Sequence, residues 1–182
     1  GKSTTAGFFR DAGVPVWDAD AAVHQLYEKG GAGVGAIQVV APTAIKDGAV
    51  DRGALRQAIL DDKELLNRIE SVVHPLVSTD RQAFLNTHSG APLVVCDIPL
   101  LFETGADEWL DAVLVVTADT AVQRQRVMDR DSMTVKVFET ILAKQTPDSE
   151  KQQRADYLID TGLGLDHARS EVLSLIERLK GN

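Results

Sequence analysis

Gly1-Lys2-Ser3-Thr4 opens the chain, and these residue types in this order can bind phosphate. In the pattern G-x-x-x-x-G-K-[ST], backbone N–H groups at a helix start attract phosphate oxygens, the lysine meets the β and γ phosphates, and the hydroxyl ligates Mg²⁺. Only the tail of that pattern stands here. A helical pattern comes directly after it, as the motif requires, so Lys2 reads as phosphate charge and Ser3 as a magnesium ligand. The competing reading is an exposed terminus with no function. If the motif is real, its first strand and the rest of its glycine loop are expected to precede this sequence in the gene.

Three further groups have types and spacing suited to the same chemistry. Asp18 and Asp20 sit at the end of an apolar run, and in extended chain residues two apart face the same way. One can accept the proton of an attacking hydroxyl while the other holds metal-bound water; for Asp18 an N-cap role competes. Asp97 ends "LVVCD", where a strand-terminal carboxylate can face Mg²⁺ or simply cap a turn before Pro99. Arg124, Arg126 and Arg130 come after a third apolar run. Arg126 and Arg130 are four apart, hence on one helix face, where two guanidiniums can clamp a polyphosphate; pairing with Asp129 and Asp131 competes. His74, in "VVHPLV", is assigned to substrate contact rather than acid–base work, against the reading of a packed, hydrogen-bonded histidine.

These groups need elements to hold them. A helix is expected from Ser3 to Ala12, stopped by Gly13, and a buried strand over Val14–Trp17. Residues 21–27 read as helix and the glycines from Gly30 to Gly35 as a loop. Helical spacing dominates from Asp51 to about His88, with a kink or break at Pro75. Leu93–Asp97 and Ala112–Val116 read as strands buried on both faces, because neither alternates polar and apolar residues. Residues 119–130 and two segments split near Pro147 read as helices, Tyr157–Ile159 as a strand, and Leu165 to Leu179 as a last amphipathic helix. Strands alternating with helices imply an α/β fold, a doubly wound parallel sheet with helices on both faces. The all-helical stretch of about 40–90 interrupts that alternation and reads as an insert for a second substrate.

Composition narrows the class. The chain has 182 residues, 44% hydrophobic and 25% charged, enough for one α/β domain with a small insert. A net charge of −8 argues against a nucleic-acid partner, which needs a basic face. No run approaches the roughly 18 apolar residues of a membrane span, and no signal peptide is visible. The single Cys96 allows no intramolecular disulfide and suits a reducing, cytoplasmic compartment. Four scattered histidines and one cysteine offer no zinc spacing. Nothing in the sequence speaks to oligomeric state.

Taken in order, "GKST", "VWDADAAVHQLY", "DGAVDRGALRQAI", "VVHPLV", "VVCDIPLLFETG", "RQRVMDRDSMT" and "KQTPDSEKQQRADYLID" resemble the dephospho-CoA kinase family from Gly1 to about Asp160. The resemblance implies a P-loop kinase that transfers the γ-phosphate of ATP to the ribose 3′-hydroxyl of dephospho-CoA, with Mg²⁺, as the last step of coenzyme A synthesis. It implies that Gly1, Lys2, Ser3 and Thr4 take the nucleotide phosphates, that Asp20 is the base or orienter of the 3′-hydroxyl, and that Arg130 is a lid arginine closing over ATP. His74 and Arg81, with Leu100 and Leu101, correspond to part of the acceptor pocket. The implied organisation is a core of residues 1–29, 91–117 and 155–182, a helical acceptor subdomain over about 30–90, and a lid over about 118–154. The segment "VVAPTAIKDG" lacks the Phe-Gly pair often seen there in the family, which is read as loop variation.

Other readings make different demands. A nucleoside monophosphate kinase would share loop, lid and sheet and differ in its acceptor. A nucleotide-dependent switch would carry an N-K-x-D segment for base recognition, and the sequence has none. A catalytically dead relative would not be expected to retain Lys2, Asp20 and Arg130.

Overall fold

Asp18 accepts a hydrogen bond from the Ala21 amide at 3.0 Å, and at that bond the chain turns from strand to helix. The same economy governs several helix starts in the computed structural model, which describes residues 1–129 and 133–181. In order, the elements are α1 (Lys2–Asp11), β1 (Val16–Asp18), α2 (Ala19–Tyr27), α3 (Ala32–Val40), β2 (Ile45–Lys46), β3 (Ala49–Val50), α4 (Arg52–Asp61), α5 (Leu65–Thr87), β4 (Val95–Asp97), β5 (Leu114–Thr117), α6 (Thr120–Met128), α7 (Val135–Leu142), α8 (Asp148–Arg154), β6 (Tyr157–Asp160) and α9 (Leu165–Lys180). Asp51, Asp119 and Thr134 cap α4, α6 and α7 through side-chain oxygens on Ala54, Ala121 and Val137 amides, satisfying donors that a helix start leaves orphaned.

The chain divides into two compact units, residues 1–16 with 99–182, and residues 17–98. The second is built on a helical core. Leu65, Ile69 and Val73 recur every four residues along α5 and meet Leu26 and Tyr27 of α2, Ile37 of α3 and Leu55 of α4, all buried; this is the single apolar stripe that helical spacing promised. In the first unit, α1 lies against α9, with an Arg169–Asp11 ion pair at 3.0 Å and the Arg169 guanidinium 5.6 Å from the Phe8 ring centre. β5 and β6 pair in parallel, Leu114 opposite Tyr157 through Thr117 opposite Asp160. Their register is pinned at one end by the Val113 amide, which donates to Asp156 Oδ2 at 2.8 Å, while the Val113 carbonyl accepts from the Asp156 and Tyr157 amides.

Several expectations need correction. Among the described residues the strands form three two-stranded sets, β1 with β4, β2 with β3 and β5 with β6, where one continuous sheet was expected; each strand spans only two to four residues, so each ladder is brief. Gly33 and Gly35 lie inside α3 rather than in a loop. Gly33 is there for close packing: a Cβ at that position would come within 2.8 Å of the Leu26 carbonyl oxygen. The helix α5 runs unbroken through Pro75, and the Pro75 carbonyl accepts from Thr79 Oγ1 at 2.9 Å. The short β2–β3 hairpin had no strong signal, since its two-residue strands are below the length at which alternation can be read.

Candidate active site

The tetrapeptide that opened the chain does begin a helix. Gly1 is the N-cap of α1, and the Gly1 carbonyl accepts from the Thr5 amide at 2.9 Å. Lys2, Ser3 and Thr4 are exposed on the first turn while Thr5 and Ala6 turn inward. A helix start that carries an exposed lysine and an exposed hydroxyl residue is of the kind that can attract an anion.

Thr161, which carried no sequence signal, stands at the edge of this turn: a Cβ on Gly1 would lie 2.8 Å from Thr161 Oγ1. Thr161 Oγ1 donates to the Thr117 carbonyl at 2.9 Å. Arg126 grips the same residue, Nη1 to Thr161 Oγ1 at 3.0 Å and Nη2 to the Thr161 carbonyl at 2.9 Å. Arg126 is therefore held beside the first turn of α1 by neutral oxygens, not by Asp129, which accepts from Gln125 instead. Arg124 stacks 5.3 Å from the Phe138 ring centre, linking α6 to α7. Arg130 lies outside the described residues.

The segment "PLLFE" places Leu100 in the left-handed region at φ 54°, an uncommon and costly position for leucine. Its carbonyl accepts from both the amide and the hydroxyl of Thr104. Leu100 is exposed, whereas Leu101 packs against the Phe102, Val113 and Val115 cluster. Glu103 turns the other way, accepting from the Thr146 amide at 2.7 Å and pairing with Lys151 at 3.2 Å. Burial pushes its carboxyl up, but these hydrogen bonds outweigh burial and hold it below its ordinary value. Asp107 pairs with Arg154 at 2.6 Å, whose guanidinium sits 4.3 Å from the Phe102 ring centre.

In the other unit the two aspartates part company. Asp18 is the N-cap of α2 in extended conformation, and Asp20 stands in the first helical turn, exposed. They do not share one face of a strand, because the strand ends at Asp18. The cap reading of Asp18 holds, and Asp20 is the carboxylate left open. Asp97, the last residue of β4, is 5% exposed. On α5, His74 is exposed on the surface rather than packed in the apolar run, while Arg81 is half-buried. The Arg81 guanidinium lies 6.0 Å from the centre of the Trp17 ring and its charge reaches Cys96, whose thiol burial pushes up against it. Among the described residues, no three His, Cys, Asp or Glu side chains gather into a metal cage. No described helix is long and apolar enough to cross a membrane.

A family model described as dephospho-CoA kinase matches residues 1–166 of this chain. The chain belongs to the dephospho-CoA kinase family. The dephospho-CoA kinase of a Jannaschia species is 53% identical over 179 residues, which cover 98% of this chain and 91% of that protein. That of Mesorhizobium japonicum is 50% identical over 183 residues, covering 100% and 92%. In three dimensions the chain is similar to a Thermus thermophilus protein of known crystal structure, with TM-score 0.77 and 34% identity over 97% of this chain and 92% of that one. The dephospho-CoA kinase of Campylobacter jejuni, at 24% identity, has the same α/β fold, with TM-score 0.75 over 100% of this chain and 92% of its own. The activity is that of the family: dephospho-CoA is phosphorylated in the final step of coenzyme A biosynthesis. A kinase of this family uses ATP as its donor.

Proposed function

We propose that the phosphoryl group travels from ATP to the ribose 3′-hydroxyl of dephospho-CoA, with the labour divided among a few side chains. Gly1, Lys2, Ser3 and Thr4 bind the nucleotide phosphates: the first amides of α1 donate to phosphate oxygens, and Lys2 offsets the charge of the β and γ groups. Asp20 orients the 3′-hydroxyl and takes its proton late in transfer, since an alcohol is far too weak an acid to ionise beforehand. His74, Arg81, Leu100 and Leu101 contact the acceptor, and Arg130 adds positive charge near the transferring phosphate. The P-loop kinase architecture, with a core of residues 1–29, 91–117 and 155–182, an acceptor subdomain over about 30–90 and a lid over about 118–154, is part of the same reading, as is a cytoplasmic setting for a chain with one thiol.

Magnesium fits the donor set. Mg²⁺ takes few protein ligands, all hard oxygens, and completes its shell with phosphate and water; the Ser3 hydroxyl and the Asp97 carboxylate are of that kind. When bound it supplies charge neutralisation on the phosphates.

The observation that carries the assignment of the proton acceptor is the separation of the two aspartates. Asp18 is committed to the Ala21 amide, whereas Asp20 is exposed on the first turn of α2. Asp20→Asn keeps shape and hydrogen bonding but loses basicity, so dephospho-CoA still binds and kcat falls by about 10² to 10⁴, the usual worth of a positioned base. Asp18→Asn still caps α2 and leaves kcat within about threefold, since asparagine is as good an N-cap as aspartate. Steady-state kinetics with saturating ATP and magnesium, beside calorimetry with dephospho-CoA, test the pair. Full activity in Asp20→Asn places the base elsewhere.

A further inference from the structure

Trp17 is a large side chain with one polar atom, and the fold spends that atom on a residue 63 positions away. Its Nε1–H donates to Asp80 Oδ1 at 2.7 Å, and Trp17 is only 5% exposed. An indole nitrogen is a donor only, so burying it requires an acceptor. Asp80 supplies it from α5, and the next residue, Arg81, lies over the same ring at 6.0 Å. The indole is thus fixed at its edge by one residue of α5 and approached on its face by the next.

The neighbours of Trp17 in the chain make this more than core packing. Asp18 comes next and caps α2, and Asp20 stands two residues further on in the first turn of that helix. An indole has two side-chain torsions, so anchoring its far end limits where the strand can end and where α2 can begin. We propose that Asp80 is a positioning residue for phosphoryl transfer, holding the Trp17 indole and through it the Asp18–Asp20 turn. The inference rests on the reading of Asp20 as the group that meets the 3′-hydroxyl. It adds that α5, the helix that carries His74 and Arg81, also sets the placement of that carboxylate.

The test uses the whole chain with Trp109→Phe, which leaves Trp17 as the only tryptophan of the two, and compares Asp80→Asn with Asp80→Leu. The asparagine oxygen can still accept from the indole; leucine cannot. Asp80→Leu is expected to lower kcat by about tenfold or more, as a misplaced reacting group does, with KM for ATP changed less than about twofold. Asp80→Asn should restore kcat to within about threefold of the parent, because the hydrogen bond to the indole is kept. The Trp17 emission maximum should move in the leucine variant and not in the asparagine variant. A leucine variant that melts at lower temperature yet keeps full kcat below its midpoint overturns the proposal, because that is what a purely structural bond would give. Equal kcat losses in both variants also overturn it, pointing to the charge and not the hydrogen bond. Should Asp80→Leu fail to fold, Trp17→Phe removes the donor and keeps an apolar ring; unchanged kcat there overturns the proposal in the same way. Asp20→Asn run in parallel separates the two levels: if it retains full activity, the reading of Asp20 fails, and if it loses activity while Asp80→Leu does not, only the positioning role fails.

Discussion

Helices α2, α3, α4 and α5 bury apolar faces in one another, with Ile37 at 0% exposure at their centre. Helices α6, α7 and α8 bury none of their described residues. Yet α7 is strongly amphipathic, with Val135, Val137, Ile141 and Leu142 all exposed. Many of the ties from this segment to the rest of its own unit are polar: Asp148 and Gln152 with Thr117, the Thr146 amide and Lys151 with Glu103, Arg154 with Asp107, Arg126 with Thr161. An apolar core comes apart only by unfolding, whereas contacts of this kind break and re-form one at a time, each worth about 0.5–3 kcal/mol. An apolar core of the first kind keeps a shape, and a segment held by separable contacts is compatible with the lid proposed for the second, since a lid must exclude water from phosphoryl transfer and then release product.

Three variants put that contrast at risk. The largest effect is expected in the bundle. Ile37→Ala should cost about 2–5 kcal/mol of stability, the range for truncating a buried aliphatic side chain where the site cannot collapse. Chemical denaturation measures it, and a loss below about 1 kcal/mol would show that the bundle is looser than its burial implies.

A smaller and local effect is expected at the root of the other segment. Glu103→Ala removes the acceptor of the Thr146 amide, and a hydrogen bond to a charged group is worth about 1.5–3 kcal/mol, so exchange of that amide should accelerate by roughly 10-fold to 10²-fold while global stability moves less. Acid should imitate the variant. The folded carboxyl of Glu103 lies below its ordinary value of 4.5, so its contribution is complete above that value and is lost as pH falls through the lower folded one. Protection of the Thr146 amide, corrected for intrinsic exchange, should therefore hold at neutral pH and fade only in acid; a loss on going from neutral to alkaline pH would contradict the sign.

The smallest effect is expected at Ile141, which is 44% exposed. Ile141→Ser should change the unfolding free energy by no more than about 0.5 kcal/mol, as exposed positions generally do. A loss comparable to that at Ile37 would mean that α7 is a covered face and that the two regions are alike.

Local signals in the sequence carried far. The helix that starts behind Gly1, the apolar strand that ends at Asp97, the break at Pro147 and the stripe along α9 are each written in a few neighbouring residues, because capping, proline geometry and helical period act within one or two turns. The ordered motifs were enough to indicate the family, since chemistry constrains residue type at each of those places. The same local rules failed where two of them competed. Period two placed Asp18 and Asp20 on one face, but the Ala21 amide draws Asp18 into a cap and starts the helix a residue before Asp20. Composition placed Gly30 to Gly35 in a loop, but α3 must approach the Leu26 carbonyl more closely than a side chain permits.

Partnerships between groups far apart in the chain belong to the folded molecule alone: Trp17 with Asp80, Glu103 with Thr146, Arg126 with Thr161. Each of these bonds joins residues 35 to 63 positions apart, and no local propensity selects such a pair. They form because packing brings each donor beside its acceptor, and at Trp17, which is 5% exposed, the indole N–H must find that acceptor within the protein. The order of residues along the chain settled which kinds of groups are available for phosphoryl transfer and which helices and strands carry them. Packing settled which of those groups are held and which are left open.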